Sequence, residues 1–265
     1  MRRFFAKGSA SRVQVLISGA LAASWLGAHA ALANPASEET EASTANQAIN
    51  WRSEAQLGFL DSRGETKESQ TLNGRLRIQA EKDVWRNDTR ASFLYTETDK
   101  ETTDERFIAS HQVDYQWTQQ IYSLLFGSYR FDGYDAFRHE YDLVSGLGYR
   151  VYRTERREWD LEAGLGAKYT ERNAQPRDTD WSPLGRLASK FRQDLGETFE
   201  LQQETTFGRS QESEDLRLVN SLAVKANEQL AVSLSYEWRR SKDLDVSDTR
   251  YDHITTLNLI YRWQP

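Results

Sequence analysis

The chain has 265 residues, 28% of them charged and 38% hydrophobic, with a formal net charge of −6 and no cysteine. That length fits one domain of barrel or sandwich size, or two smaller ones. The missing cysteine excludes a disulfide framework, a thiolate metal site and a thiol nucleophile, and the acidic balance argues against nucleic acid as a partner.

The first segment, MRRFFAKGSASRVQVLISGALAASWLGAHAALA, places Arg2, Arg3, Lys7 and Arg12 ahead of an apolar run of small residues and ends in Ala31-Leu32-Ala33. This is the layout of a cleavable signal peptide, residues 1–33. An anchor helix is the competing reading, but Gln14 and His29 interrupt the run, and its weight lies in Ala and Gly rather than Leu and Ile. Loss of those four bases moves the net charge from −6 to −10. Residues 34–50, NPASEETEASTANQAIN, are polar, lack aromatics and have no usable period, which predicts a flexible leader.

From Trp51 to the end of the chain, residues 51–265, apolar residues recur at every second position, the period of a strand with one apolar face. The first six apolar faces are Trp51/Ala55/Leu57/Phe59, Leu72/Leu76/Ile78/Ala80, Ala91/Phe93/Tyr95, Phe107/Ala109/Val113/Tyr115/Trp117, Tyr122/Leu124/Phe126 and Tyr141/Leu143/Leu147/Tyr149. The next three are Trp159/Leu161/Ala163/Leu165/Tyr169, Leu187/Phe191 and Phe199/Leu201/Phe207. Leu218/Leu222/Val224/Ala226, Leu230/Val232/Leu234/Tyr236/Trp238 and Leu257/Leu259/Tyr261/Trp263 complete twelve predicted strands. The eighth is the least regular, with Pro183 and Gly185 on its apolar face.

Connections after even strands read as tight, whereas those after odd strands, such as DSRGETKESQ, TDKETTDE and SKDLDVSDT, read as longer and acidic. An even strand count with long–short alternation and an export signal predicts an all-β, antiparallel, up-and-down transmembrane β-barrel of about twelve strands in the outer membrane of a Gram-negative cell. A soluble sandwich also alternates, but its aromatics have no reason to sort by strand end. Here Trp51, Trp117, Trp159 and Trp263 fall at the tight-turn end, and Tyr95, Phe107, Tyr141, Tyr169 and Trp238 at the other, as two interfacial girdles would. No helical stretch after the signal is long and apolar enough to span a bilayer.

The run FGSYRFDGYDAFRHEYDLVSGLGYRVYRTERREWDLEAGLGAKYTER and the earlier NWRSEAQLGFLDSRGETKESQTLNGRLR resemble the salt-induced outer membrane protein family, also called domain of unknown function 481. The matching positions are Gly58 and Gly64, the loop residues Asp132, Tyr134, Asp135 and Phe137 around Gly133, then Gly146, Gly148, Tyr149 and Arg150, and Glu162, Ala163, Gly164 and Gly166. Two departures stand out: the early turn is Arg63-Gly64-Glu65-Thr66 rather than a Gly-Asn type, and Trp263 lies two residues short of the end. The resemblance implies an outer-membrane location, a context of salt or osmotic stress and no established activity.

The polar parity would face the lumen. It supplies Arg75, Arg77, Glu162, Lys168, Arg186, Lys190, Arg192, Glu200, Glu204, Arg217, Lys225, Glu237, Arg239 and Arg262. Such a set makes either an ion-pair lattice that stiffens the wall or a cationic track for anions. Neutralisation of Arg186, Lys190 and Arg192 by Glu200 and Glu204 predicts a wall, and unpaired Arg217, Lys225 and Arg239 predict a weak anion preference. Gly146, Gly148, Gly164 and Gly166 on the same parity leave either curvature and room for a large neighbour, or space for a solute.

Three alternatives remain for function. His111 and Ser128, if both faced lipid, would resemble the base and nucleophile of a lipid-acting hydrolase, although no orienting third group and no G-x-S-x-G context accompany them. Asp132 and Asp135 could hold a divalent cation, but their spacing matches no loop of known type, and Asp132-Gly133 is a turn signal in its own right. The acidic loops could also form a surface binding module. The expectation is a monomeric, non-enzymatic envelope barrel without cofactor or metal, structural or a narrow passage. Its partners are outer-membrane lipid and, during biogenesis, periplasmic chaperones and the barrel assembly machinery.

Overall fold

The computed structural model describes residues 49–63, 68–173 and 179–263; the expected signal peptide and the leader up to residue 48 lie outside them. In chain order the strands are β1 (Asn50–Arg63), β2 (Glu68–Lys82), β3 (Trp85–Thr98), β4 (Glu101–Gln116), β5 (Ile121–Asp132) and β6 (Phe137–Arg153). They continue as β7 (Arg157–Arg172), β8 (Thr179–Leu195), β9 (Phe199–Arg209), β10 (Ser213–Lys225), β11 (Leu230–Asp243) and β12 (Asp248–Trp263). Each pairs antiparallel with its neighbours in sequence, and β1 pairs with β12 from Ser53↔Trp263 to Gly58↔Asn258. The result is a closed twelve-stranded antiparallel barrel without a free edge. The weak eighth segment is a full strand, with Pro183 opposite Ala167 in the ladder with β7.

The usual inside-out distribution is reversed. Leu57, Leu143, Leu147, Leu187, Leu234 and Leu259 are exposed on the outside, and Leu165 is 77% exposed at the middle of β7. Buried residues are instead mostly polar, among them Asp132, Glu140, Arg150, Glu162, Lys168 and Arg239. Aromatic rings bracket the apolar band. At the end where β1 begins and β12 finishes, the terminal end, Trp85 and Trp117 both pack on Tyr115, at 4.9 and 5.0 Å, and Trp159 packs between Tyr152 and Phe191. At the opposite, distal end, Phe107, Tyr129, Tyr141, Tyr169 and Trp181 form a continuous row across β4 to β8 with centroids 4.9–6.3 Å apart. Both predicted girdles are present.

Two expectations are corrected. Connections span two to four residues at the terminal end and two to six at the distal end, so the long–short contrast nearly vanishes. The acidic segments are mostly strand: TDKETTDE turns on Asp99 and Lys100 alone, whose φ angles of 52° and 67° fit a two-residue type I′ hairpin. Strands of up to 17 residues exceed the ~9–11 that cross a bilayer. Beyond the apolar band neither face need be apolar, so cross-strand polar pairs such as Thr71–Thr96 extend the ladder through sequence that reads as loop.

The second correction concerns β5. Tyr122, Leu124 and Phe126 point inward, not to the apolar exterior; Tyr122 is 1% exposed, whereas Ile121 and Leu125 lie outside. The segment Ile121–Phe126 is apolar on both parities, so period alone leaves its facing open. The neighbours fix it. A Cβ on Gly148, opposite Tyr122 in β6, would sit 2.0 Å from the tyrosine ring, so the missing side chain makes the ring's seat. Gly146 and Gly166 instead allow backbone approach, since a Cβ there would meet the carbonyls of Ala163 and Leu143. The glycines thus serve packing.

Candidate functional site: the charged lumen

Alternation places one charged or polar side chain in the lumen at nearly every second residue, and barrel closure then brings charges from distant strands together. At the terminal end, Arg262 of β12 bonds Glu54 of β1 at 2.8 Å and Glu200 of β9 at 2.7 Å. Lys225 bonds Asp194 at 2.9 Å, and Arg192 lies 3.6 Å from Asp194, 3.4 Å from Glu158 and 4.0 Å from Glu200. Arg52 and Glu158, from β1 and β7, meet at 3.8 Å half the circumference apart, but both are well solvated. Exposed pairs of this kind hold weakly.

Deeper in, Glu162 gathers Lys190 at 2.9 Å, Arg186 at 3.2 Å, Gln112 at 2.8 Å and the Tyr122 hydroxyl at 3.0 Å. Arg86 joins Asp114 at 2.6 Å to Asp160 at 3.1 Å, and its guanidinium and that of Arg150 flank the Tyr122 ring at 5.2 and 5.3 Å. Beside Arg86 on β3, Asp88 accepts from Arg77 and Arg90, and Arg90 reaches Glu204 of β9 at 2.8 Å. Every carboxylate just named has at least one cation, as burial of charge requires.

The distal end is the most tightly tied. Asp132, 0% exposed at the end of β5, accepts the backbone N–H of Tyr134 and of Asp135 at 3.1 Å, folding the Gly133–Ala136 connection into a compact turn. Its other oxygen takes Arg106 at 3.0 Å and Arg239 at 3.2 Å. Arg239, 3% exposed on β11, also bonds Asp135 at 2.8 Å and Asp215 at 3.4 Å. Because β5 and β11 lie on opposite walls, these bonds carry the turn across the mouth. Lys168 of β7 joins Glu140 at 2.8 Å to Asp215 of β10 at 3.3 Å, Arg130 pairs with Glu140, and Arg106 reaches Asp252 of β12 at 3.0 Å. Arg250 donates to the Tyr134 carbonyl at 2.7 Å, Asn173 to that of Gly133 at 2.9 Å, and the Tyr134 hydroxyl to that of Thr102 at 2.5 Å. Phe137, 2% exposed, lies under the Arg172 guanidinium at 4.8 Å. Burial pushes the Asp135 carboxyl above the ordinary aspartate range.

The open space follows this gradient. A cavity of about 370 Å³ occupies the terminal end, bounded by Arg52, Arg153, Glu158 and Trp263, and adjoins one of about 250 Å³ at mid-lumen, with Glu54, Asp88, Arg90 and Glu204 common to both. Arg239 and Asp215, members of the distal lattice, also line the mid-lumen cavity. Among the described residues, the two cavities run from the terminal end to mid-lumen, and the ion pairs of Arg239 with Asp132, Asp135 and Asp215 cross the distal end.

The predicted inward residues Arg75, Arg77, Glu162, Lys168, Arg186, Lys190, Arg192, Glu200, Glu204, Arg217, Lys225, Glu237, Arg239 and Arg262 do face the lumen, but their pairing differs from expectation. Arg186 and Lys190 are held by Glu162 rather than by the acids of β9. Arg217 pairs with Glu237 at 2.7 Å, so with Lys225 and Arg239 it is not unpaired. Among the described residues Arg75 is the predicted cation that makes no ion pair. Arg86, Arg106, Arg130, Asp114, Asp160 and Asp215 escaped the sequence reading, although each sits on the inward parity of its strand.

His111 lies opposite Gly127 on the outside and bonds Thr89 at 2.9 Å, whereas Ser128 faces inward and donates to Asp142 at 3.1 Å. The two are on opposite sides of the wall, so no nucleophile–base pair forms between them. Asp132 and Asp135 spend their carboxylates on arginines and backbone amides, which leaves no oxygen cage for a cation.

Residues 55–263 match the family described as "Protein of unknown function, DUF481". The chain belongs to that family. No curated protein matches it. Among solved structures, the NanC porin is 12% identical, with 81% of this chain and 99% of that one covered and a TM-score of 0.48. An outer membrane channel from Pseudomonas putida F1 is 10% identical, with coverage of 86% and 100% and a TM-score of 0.48. The KdgM porin is 10% identical, with coverage of 79% and 98% and a TM-score of 0.43. Similarities this distant say nothing of a solute.

Proposed function

We propose that this chain is a monomeric, non-enzymatic outer-membrane barrel of a Gram-negative envelope, exported by a cleavable signal peptide and inserted with the help of periplasmic chaperones and the barrel assembly machinery. Its lumen is a charged vestibule shut at the distal mouth, so that it is a structural element or a very narrow passage rather than an open pore. Salt or osmotic stress is the context that the sequence resemblance suggests. The observation that carries the reading is the Asp132–Arg239–Asp135 bridge from wall to wall, set inside a barrel whose exterior is an apolar band between two aromatic belts. A lipid-acting hydrolase is disfavoured by the separation of His111 from Ser128. Envelope fractionation together with planar-bilayer recording tests the proposal. Recovery with outer-membrane lipid and little or no steady conductance support it; recovery in the soluble periplasm, or hydrolysis of phospholipid by the purified barrel, overturns it.

A further inference from the structure

Arg75 stands apart in a lumen where cations are otherwise matched. It projects from the middle of β2, opposite Gln56 of β1 and Ser92 of β3, neither of which carries a charge. Its guanidinium offers five N–H donors in a fixed plane, and it has no carboxylate partner among the described residues. The cavity walls it lines include a second arginine, Arg217 of β10. Arg217 uses Nη2 on Glu237 at 2.7 Å, while its Nε is buried without a hydrogen-bond partner. Both arginines line the mid-lumen cavity and also a side cleft of about 60 Å³, which Ser92, Ser235 and Thr256 furnish with hydroxyls.

Three guanidiniums, Arg75, Arg106 and Arg217, share the walls of that cleft with a single carboxylate, Glu237, so positive charge is left over, and Arg75 and Arg217 retain unused donors. A small anion between Arg75 and Arg217 offsets that charge and satisfies the donors together. The fork of N–H groups fits two oxygens of one planar or tetrahedral oxyanion better than a spherical halide. Size is restrictive as well. A cleft of about 60 Å³ has room for roughly four waters or one compact oxyanion, and the adjoining 250 Å³ is smaller than the ~300 Å³ at which drug-sized pockets begin. Charge points the same way: nine cationic side chains and six carboxylates line the mid-lumen cavity.

We infer that Arg75 and Arg217 form a binding subsite for a small oxyanion, a phosphate-, sulfate- or carboxylate-bearing group, reached through the terminal-end vestibule. The inference rests on the reading of the lumen as open at that end and closed at the other. It extends that reading by naming what the lumen holds. Glu237 and Glu204 set its limit, because they keep the site from accumulating enough positive charge to draw in large polyanions.

The test is titration calorimetry on the detergent-solubilised full-length barrel with inorganic phosphate, sulfate and acetate at low ionic strength. Saturable one-site binding of at least one oxyanion, weakened tenfold or more by Arg75→Gln and partly retained by Arg75→Lys, is the expected result. The matched variant Lys100→Gln, which removes a positive charge from a distal hairpin turn, leaves binding unchanged. Because Arg75 has no ion pair to lose, the heat-modifiable mobility of Arg75→Gln matches the parent and shows that it folds. Absence of saturable binding, or equal losses in Arg75→Gln and Lys100→Gln, overturns the subsite as mere ionic screening. Preference for acetate over phosphate identifies a carboxylate ligand, and the reverse a phosphate. Failure here is distinct from failure of the closed-mouth reading, which conductance reports and Arg75→Gln does not alter.

Discussion

Arg239 of β11 donates to Asp135 at 2.8 Å across the distal mouth, and the same guanidinium holds Asp132 at 3.2 Å. The two strands that meet this way face one another across the barrel. Cutting the bond therefore acts on the mouth before it acts on the wall, because the ladders on either side of β11 are intact. Replacement of Arg239 by Gln takes a cation from the buried Asp132 and Asp135 and from the half-buried Asp215, a loss of about 3–5 kcal/mol when one partner of a buried pair is removed. The expected local consequence is faster amide exchange across residues 133–136 with unchanged exchange in β6 and β7.

Acid should act on the same latch. Burial raises the Asp135 carboxyl, so it takes a proton at a pH where an ordinary aspartate is still ionised. The neutral acid gives up its ionic attraction to Arg239 but sheds the larger cost of a buried charge beside Asp132 and Asp215. A carboxyl raised in the folded turn binds its proton more tightly there than in the opened turn, so protection of the 133–136 amides is expected to rise as pH is lowered into that range, and Asp135→Asn should abolish the dependence. Protection that decreases in acid would show that the ion pair with Arg239, not desolvation, dominates at Asp135.

Lipid contact predicts a cost that no soluble sandwich would show. Leu165 sits mid-strand on the outer face of β7, 77% exposed. Leu165→Arg should destabilise the barrel in bilayers by about 2–4 kcal/mol, the range for a cation at the membrane midplane. In a soluble protein the same exposed position would change stability by less than about 0.5 kcal/mol. Denaturant titration in liposomes distinguishes the two.

Packing of Tyr122 against Gly148 gives a fourth test. Gly148→Ala forces a methyl to within 2.0 Å of the ring unless the ring moves, and overpacking of this kind costs about 1–3 kcal/mol. In a Tyr122→Ala background most of that cost should disappear. A double-mutant cycle with no coupling would mean that the ring does not occupy the place the glycine leaves.

The fold was legible because a barrel wall obeys a local rule, one parity per side, which most strands keep, β6 changing parity only at the bulges near its two ends. The fifth does not, since Ile121 to Phe126 are apolar on both faces and only the glycine opposite Tyr122 decides which side turns in. Connection length was misleading for a related reason: polarity marks a loop only where the alternative is burial in apolar surroundings, and past the belts acidic residues extend strands at little cost. Inward charges could be named from parity alone, but their partners could not. Glu204 lies in register with Lys190 yet bonds Arg90, on a strand far away in sequence, because cross-lumen distances depend on closure and stagger rather than on spacing. That is why Arg217, Lys225 and Arg239 read as unpaired, whereas among the described residues Arg75 is the predicted cation that makes no ion pair.

The central claim is that the distal mouth is closed by the ion lattice around Arg239. Single-channel recording of the purified barrel in planar bilayers, parent beside Arg239→Gln, tests it most directly. The account predicts little or no steady conductance in the parent and a rise of several-fold or more in the variant. A large, steady, cation-selective conductance in the parent that Arg239→Gln leaves unchanged would contradict it.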